Sequence, residues 1–244
     1  MHKRGFVMGM LDKYIKMNFG YVSNDFGISG ICAAAVMLCL IFLNLFPLAA
    51  FFIAVSMIFL VKSYKKLFSE GLYGERAALE RTLPVSEEEV VFTKVFVAAI
   101  GRIIFGIALS TAIIFGYKMS IADLHLSGML VYLVPESVTP GVLPAAVALK
   151  VLMTVTTYFF QTAVILLCVI WYHHQKKQGS AAAWKVVASA GGLLLCCMPV
   201  LINYITEGIN AIGVDIISIA ADFVLTILLC RVSAKLLKEK YEIE

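Results

Sequence analysis

A long uncharged stretch of this chain, from Gly27 to Val61, limits the possible folds more than any other feature. Its 35 residues contain no Asp, Glu, Lys or Arg. As one helix it would be about 52 Å long at about 1.5 Å per residue, whereas the apolar core of a bilayer is about 30 Å thick. The stretch therefore predicts two membrane-spanning helices joined by a tight turn, with the break at Asn44 to Pro47.

Four further stretches are apolar over the length of a membrane span, at residues 95–117, 145–172, 184–204 and 209–230. The whole chain is 61% apolar with a mean hydropathy of +0.92, whereas a soluble domain is roughly 45–50% apolar. We expect an all-α polytopic membrane protein, with six transmembrane helices in a single domain over residues 1–244. Charges scattered through residues 3–16 argue against a cleaved signal peptide.

The basic residues are distributed unevenly between the two sides of this six-span layout. Seventeen of the 20 Lys and Arg residues fall on the side that holds both termini. Positive charge accumulates on the cytosolic side of membrane proteins, so both termini are predicted to be cytosolic. The net charge of +4 follows from this bias, and no basic patch with interleaved aromatic residues indicates a nucleic-acid partner.

Two segments outside the spans are apolar enough to contact the bilayer surface. Residues 118–144 form the predicted extracellular loop, which contains a short apolar stretch and three prolines. Residues 1–26 are predicted to form an interfacial N-terminal helix. The alternative is a cytosolic extension of the first span. The apolar stripe of this helix consists of Met8, Leu11, Ile15, Phe19 and Val22.

The cytosolic region between the second and third spans, residues 62–94, is rich in charge. A short helix is predicted after Gly74, and it ends before Pro84 because the residue preceding a proline disfavours the helical conformation. Ser86 and Glu89 then match a capping box, with Ser86 as the N-cap of a helix that continues into the third span. In the functional interpretation, a push on the short helix after Gly74 is transmitted to the third span. In the alternative interpretation, the region is only a solvated hairpin loop.

The sequence YGERAALERTLPVSEEEVVFTK within this region resembles the cytosolic coupling region of the membrane subunits of type-2, exporter-class ATP-binding-cassette transporters. The motif resemblance covers these 22 residues, and the six-span topology extends it to the whole chain. The chain is similar to the membrane subunits of the small six-span peptide and antimicrobial exporters of Gram-positive bacteria. The resemblance implies a subunit of the bacterial cell membrane that moves amphipathic cargo outward, most often peptides of the toxin or antimicrobial type.

The resemblance also implies partners and a docking site. A separate cytosolic ATPase subunit, present in two copies, would bind ATP and Mg, and this chain would form a homodimer in the lipid bilayer. No GxxxxGK[ST] phosphate loop occurs in the sequence, so the ATP chemistry is expected in the partner and not in this chain. The residues that the resemblance assigns to ATPase docking are Leu72, Tyr73, Gly74, Glu75, Arg76, Leu79, Glu80 and Arg81.

Four ionisable residues fall inside the predicted spans, where charge is costly and usually functional. Arg102 and Asp222 lie at matched depth from the cytosolic side, and we expect them to pair or to face one water-filled cavity. Lys150 and Asp215 lie at matched depth near the outer side. These charges either line a transport pathway or neutralise one another within the structure, and Lys150 can also extend to the outer interface.

The sequence offers little support for a metal or catalytic site. All six cysteines lie in apolar spans without metal-ligand spacing and are expected to serve packing. His173 and His174 are expected in a solvated cytosolic loop. An intramembrane enzyme would need a nucleophile with a base, or paired metal ligands, at membrane depth. An autonomous secondary transporter or channel is the main alternative to an ATP-driven exporter.

Overall fold

The computed structural model describes residues 2–42, 46–83, 85–119, 143–175, 190–192 and 211–243. Every secondary-structure element within these residues is helical. A π-helical segment, Lys65–Glu70, follows the second helix without a break. The α-helices are α1 (His2–Phe42), α2 (Phe46–Tyr64), α3 (Gly71–Tyr73), α4 (Glu75–Arg81), α5 (Glu87–Met119), α6 (Leu143–Gln175) and α7 (Ala211–Ile243).

Four helical stretches in the described residues are long and apolar enough to cross a membrane: Pro47–Tyr73, Glu87–Ile107, Ala148–Gln175 and Asp215–Glu239. They correspond to the predicted second, third, fourth and sixth spans, and their length and composition indicate a membrane protein. The predicted fifth span, residues 184–204, lies outside the described residues except for residues 190–192. Most of the predicted extracellular loop, residues 118–144, also lies outside them.

Helices α1 and α2 are antiparallel, which confirms that the long uncharged stretch forms two helices. The Ser29 and Ser56 hydroxyls lie 2.9 Å apart, and each side chain also contacts the other residue's backbone carbonyl. Nearer the break, Val36 and Cys39 pack with Ala49. The contacts pair rising residue numbers on α1 with falling ones on α2, so the chain reverses direction between the two helices. Of the predicted break at Asn44 to Pro47, Asn44 and Leu45 lie outside the described residues, and Phe46 and Pro47 begin α2.

The predicted interfacial helix is not a separate element. Residues 2–42 form one 41-residue helix, so the N-terminal segment is a direct extension of the first predicted span. The first proline of the chain is Pro47, and an apolar stripe alone does not end a helix. The alternative stated above, a continuous extension, is the one observed.

Two pairs of helices run in parallel. On α1 and α5, Asn18 contacts Lys94. About two helical turns further along both helices, the ring of Phe26 lies against the backbone of Gly101. On α6 and α7, Lys150 contacts Asp215 and Thr157 contacts Asp222, both with a separation of 65 residues. The last residues of α6 and the first residues of α7 therefore lie at opposite ends of the bundle.

The main hydrophobic core lies at the end of the bundle that is predicted to be cytosolic. It joins α1, the π-helical segment, α3, α5, α6 and α7 through Val22, Leu67, Phe68, Leu72, Val91, Val95, Leu166, Ile170 and Leu237. Large apolar side chains further along the spans, such as Ile58, Ile107 and Ile217, are exposed. An apolar outer surface is what a bilayer requires of the spans it surrounds.

Candidate functional site

The charged segment that the sequence analysis singled out is a compact helical unit, defined here as the coupling segment, residues 71–94. Helix α5 begins as predicted: the backbone N–H of Ser86 donates to Glu89 Oε2 at 2.8 Å, and the N–H of Glu89 donates to Ser86 Oγ at 3.3 Å. This is a complete capping box. The predicted helix stop, Pro84, lies outside the described residues, but α4 ends at Arg81 and α5 begins at Glu87.

Gly74 separates α3 from α4 and occupies a position where a side chain does not fit. It adopts an extended conformation with ψ of −171°, and its N–H donates to the carbonyl of Glu70 at 2.9 Å. A Cβ at this position would lie 2.6 Å from that carbonyl oxygen, closer than real Cβ contacts come. Glycine therefore permits the sharp change of direction that lays α4 against the bundle.

Glu80 holds α4 in place from a buried position. Its carboxylate is in contact with three side chains: Tyr14 Oη donates to Oε2 at 2.7 Å, Lys94 Nζ lies 2.8 Å from Oε2, and Arg76 Nε lies 3.3 Å from Oε1. These residues belong to α1, α4 and α5. We call Tyr14, Arg76, Glu80 and Lys94 the buried ion cluster, and it ties three helices together.

Lys94 is the most deeply buried cation in the described part of the chain, with 0% of its surface exposed. Besides Glu80, its ammonium group donates to Asn18 Oδ1 at 3.4 Å. Asn18 is itself held by a 3.0 Å bond from its Nδ2 to the carbonyl of Tyr14. A buried ammonium is tolerated only with a charged partner and further hydrogen bonds, so Lys94 depends on the position of Glu80.

Arg76 covers one side of the cluster. Its guanidinium lies over the ring of Tyr21, 3.9 Å from the centroid, and Nη2 donates to the carbonyl of Met17 at 3.4 Å. The Tyr21 hydroxyl in turn donates to Glu70 at 3.3 Å. Planar stacking of this kind suits an arginine and not a lysine.

Tyr14 is a titratable member of the buried ion cluster whose pKa its surroundings change. Burial raises the pKa of the Tyr14 hydroxyl above its ordinary value, and the negative charge of Glu80 beside it adds to the rise. Asn18 and the positive charge of Arg76 act in the opposite direction and are the weaker influences. The hydroxyl therefore stays protonated over the physiological range and serves as a constant donor to Glu80.

One surface of the coupling segment remains open. Glu75 and Ala78 are exposed, whereas Ala77 and Glu80 are buried. Glu75 and Ala78 are three residues apart in the helix, so they lie on one face. We call these two residues the outer face of α4.

The structure divides the residues that the resemblance assigns to ATPase docking. Leu72 and Glu80 are buried within the chain, Arg76 is largely covered, and Tyr73 is half-buried. Gly74 and Glu75 are exposed. The side chains of Leu79 and Arg81 lie outside the described set. Of the assigned residues whose burial is described, Gly74 and Glu75 offer the most surface to another protein.

The intramembrane charges pair in one case and not in the other. Lys150 Nζ lies 2.8 Å from Asp215 Oδ1, so these two residues form an ion pair between α6 and α7. Arg102 and Asp222 do not meet. The Arg102 guanidinium lies 5.0 Å from the Tyr158 ring centroid, and Asp222 accepts a 2.6 Å hydrogen bond from Thr157. Matched depth was insufficient because two helices must also present the residues to each other.

Two groups that sequence reasoning placed wrongly or overlooked belong to the same end of the bundle. His173 lies in α6 and not in a loop, and its ring stacks on Tyr73 with centroids 4.0 Å apart. Asp25 is 2% exposed and pairs with Lys66 at 2.6 Å and with Lys62 at 3.6 Å. An acidic residue just before the uncharged stretch and basic residues just after it are a signal for this pairing, since the two helices are antiparallel.

The described residues contain no group of three or more His, Cys, Asp and Glu side chains arranged to hold a metal ion. Cys32, Cys39, Cys168 and Cys230 are free thiols, and all but Cys168 are buried. Cys39 and Cys230 pack in hydrophobic clusters, as predicted. No family model, no curated protein and no solved structure matches the chain.

Proposed function

We propose that this protein is the membrane subunit of an ATP-driven exporter, in which a separate cytosolic ATPase docks on the outer face of α4. The observation that carries the proposal is the connection of α4 to two long helices. Glu80 joins α4 to Tyr14 on α1 and to Lys94 on α5, while Glu75 and Ala78 face outward. A helix with one free face and one bonded face suits a part that receives force from a partner.

In the proposed mechanism, movement of the ATPase displaces α4, and the buried ion cluster carries the displacement into α1 and α5. Breaking the cluster would leave Lys94 and Glu80 uncompensated in a buried site, so the three helices move together. The capping box adds stiffness where α5 begins. Rigid-body motion of packed helices around a site is an established means of conformational switching.

The remaining parts of the proposal follow from the resemblance of the coupling segment. Two ATPase subunits bind ATP and Mg and hydrolyse the ATP, and two copies of this chain form the path across the bacterial cell membrane, with their termini in the cytosol. The cargo is amphipathic and is most simply a peptide of the toxin or antimicrobial type. The chain itself is a transport subunit and has no catalytic role.

The test is ATP hydrolysis in lipid nanodiscs that contain the chain and its candidate ATPase. We expect Glu75→Arg to lower copurification and hydrolysis about tenfold, which corresponds to about 1.4 kcal/mol of docking energy. Ala78→Arg on the same face should act similarly. The matched control is Glu239→Arg, which makes the same charge change at an exposed residue of α7.

Glu80 is unsuitable for this test, because its replacement disturbs the fold as well as any docking. If Glu75→Arg and Ala78→Arg both leave copurification and hydrolysis at the wild-type level, the outer face of α4 is not the docking site. A chain that never associates with an ATPase, and that transports cargo without ATP, would instead be an autonomous transporter.

A further inference from the structure

A cavity of about 630 Å³ lies between α2, the π-helical segment, α5 and α6. Binding sites for small molecules commonly have volumes of about 300–1,000 Å³ and a mostly apolar lining with a few polar groups. Neither the coupling segment nor the buried ion cluster contributes to its lining. Its position between spans places it at membrane depth.

One wall of the cavity is mostly apolar. Met57, Leu60, Val61 and Phe68 line it from α2 and the π-helical segment, and Lys65 lies between Val61 and Phe68 in the sequence. This apolar stripe, from residue 57 to residue 68, is about 16 Å long at about 1.5 Å per residue. A groove of this length with mostly apolar walls fits a hydrocarbon chain.

Polar groups gather on the opposite wall and at one end. Arg102 enters from α5 and lies against the ring of Tyr158 on α6. Lys65 and Ser69 enter from the π-helical segment, whose backbone hydrogen bonds span five residues where those of an α-helix span four. Such segments are rare and often occur at functional sites.

The charges that line the cavity leave one positive charge without a carboxylate partner. Lys65 Nζ lies 3.6 Å from Glu70 Oε1, so its charge is partly compensated. In the described part of the chain, Arg102 has no carboxylate within ion-pairing distance. An ionisable residue inside a span is costly and usually faces a ligand or a water-filled space. The unpaired positive charge of Arg102 therefore favours a ligand with one negative charge.

The cavity is reached from the side that faces the bilayer. Val61 lines the cavity and is 65% exposed, and its neighbour Ile58 is 64% exposed on the outer surface of α2. A ligand can enter from the surrounding lipid between α2 and the helices behind it. Access of this kind favours a molecule that is already in the membrane.

We propose that this cavity binds one anionic phospholipid of single negative charge, with its phosphate at Arg102 and an acyl chain along the apolar stripe. Basic pockets between membrane helices are suited to lipid head groups because the phosphate offers several acceptor oxygens to a guanidinium. A zwitterionic lipid of the same chain length lacks the net charge that Arg102 matches. The proposal is independent of the docking of an ATPase.

The experiment is native mass spectrometry of the whole chain released from nanodiscs. The nanodiscs contain equal amounts of phosphatidylglycerol and phosphatidylcholine with identical acyl chains. We expect wild type to retain phosphatidylglycerol preferentially, and Arg102→Gln to reduce that preference about tenfold, equivalent to about 1.4 kcal/mol. Arg231→Gln is the matched control, since it removes the same charge from an exposed position on α7.

Two further variants separate lipid binding from loss of the fold. Arg102→Lys keeps the charge and should keep most of the preference. Val61→Trp fills the cavity without changing the charge and should lower retention of phosphatidylglycerol to the level of Arg102→Gln. The proposal is overturned if wild type retains both lipids equally, or if Arg231→Gln and Arg102→Gln reduce the preference to the same extent.

Discussion

Glu80 and Glu75 lie five residues apart on one short helix, and their surroundings give them opposite roles. Glu80 is 5% exposed and in contact with Tyr14, Arg76 and Lys94. Glu75 is exposed at the start of α4, where a carboxylate favours the positive end of the helix dipole. The resemblance implied the same docking role for both, because burial is decided by contacts with α1 and α5, which are distant in the chain.

We expect Glu80→Gln to lower the free energy of unfolding by about 3 kcal/mol, because it leaves the buried Lys94 without a counter-charge. Glu75→Gln, the matched control, should change it by no more than about 0.5 kcal/mol, as exposed substitutions usually do. Denaturant unfolding in mixed micelles measures both. Equal effects of the two substitutions would contradict the assignment of Glu80 to the buried ion cluster.

Tyr14 provides a prediction about pH. The folded protein holds the Tyr14 proton more tightly than the unfolded chain, since burial and then Glu80 raise the pKa of its hydroxyl. Its contribution to stability is therefore complete below the unfolded value of about 10 and is lost as the pH rises from there toward the raised folded value. In Tyr14→Phe this loss should be absent.

The measurement is the thermal unfolding midpoint in detergent from pH 7 to pH 11, for wild type and Tyr14→Phe side by side. The difference between the two proteins should be constant up to about pH 9.5 and should shrink above pH 10. Other tyrosines and lysines titrate in both proteins, so only the difference is informative. A difference that stays constant to pH 11 would show that Tyr14 titrates alike in both states.

Among the elements, α5 has the clearest local signal for its beginning. Ser86 and Glu89 exchange hydrogen bonds across the first turn, and Glu87 and Glu88 add negative charge at the same end. These interactions span only three residues, so the sequence alone predicts them. The continuity of α1 was harder to predict, because its apolar stripe suits both a surface helix and the extension of a span.

Ser86→Ala removes the side chain that accepts from the N–H of Glu89 and should destabilise the start of α5 by about 1 kcal/mol. Hydrogen exchange at residues 87–91 should become faster, while exchange in the middle of α5 stays unchanged. Glu88→Ala, an exposed change outside the capping box, is the control. If both substitutions accelerate exchange equally, charge near the helix end is responsible and the capping box is not.

At the scale of the whole molecule, close approach between α1 and α5 depends on a glycine. A Cβ at Gly101 would collide with the ring of Phe26, whereas a Cβ at Gly30 would meet nothing within 4 Å. The two glycines look alike in the sequence. Their difference exists only when the helices are packed together.

Gly101→Ala should destabilise the protein by about 1–3 kcal/mol, as overpacking of a tight contact does. Gly30→Ala should stabilise it by about 0.5–1 kcal/mol, since alanine is the better residue inside a helix. Unfolding in mixed micelles measures both variants. A stabilising Gly101→Ala would mean that α1 and α5 are farther apart than the structure shows.

The sequence by itself determined the features that depend on composition and near neighbours: a helical membrane protein, the reversal between α1 and α2, and the capped start of α5. Each rests on interactions within a few residues or on the thickness of the bilayer. Only the tertiary structure decided that Glu80 is buried, that Lys150 meets Asp215 while Arg102 stays apart from Asp222, and that Arg102 faces a cavity. Those outcomes depend on the rotation and register of packed helices, which depth and periodicity along the chain do not specify.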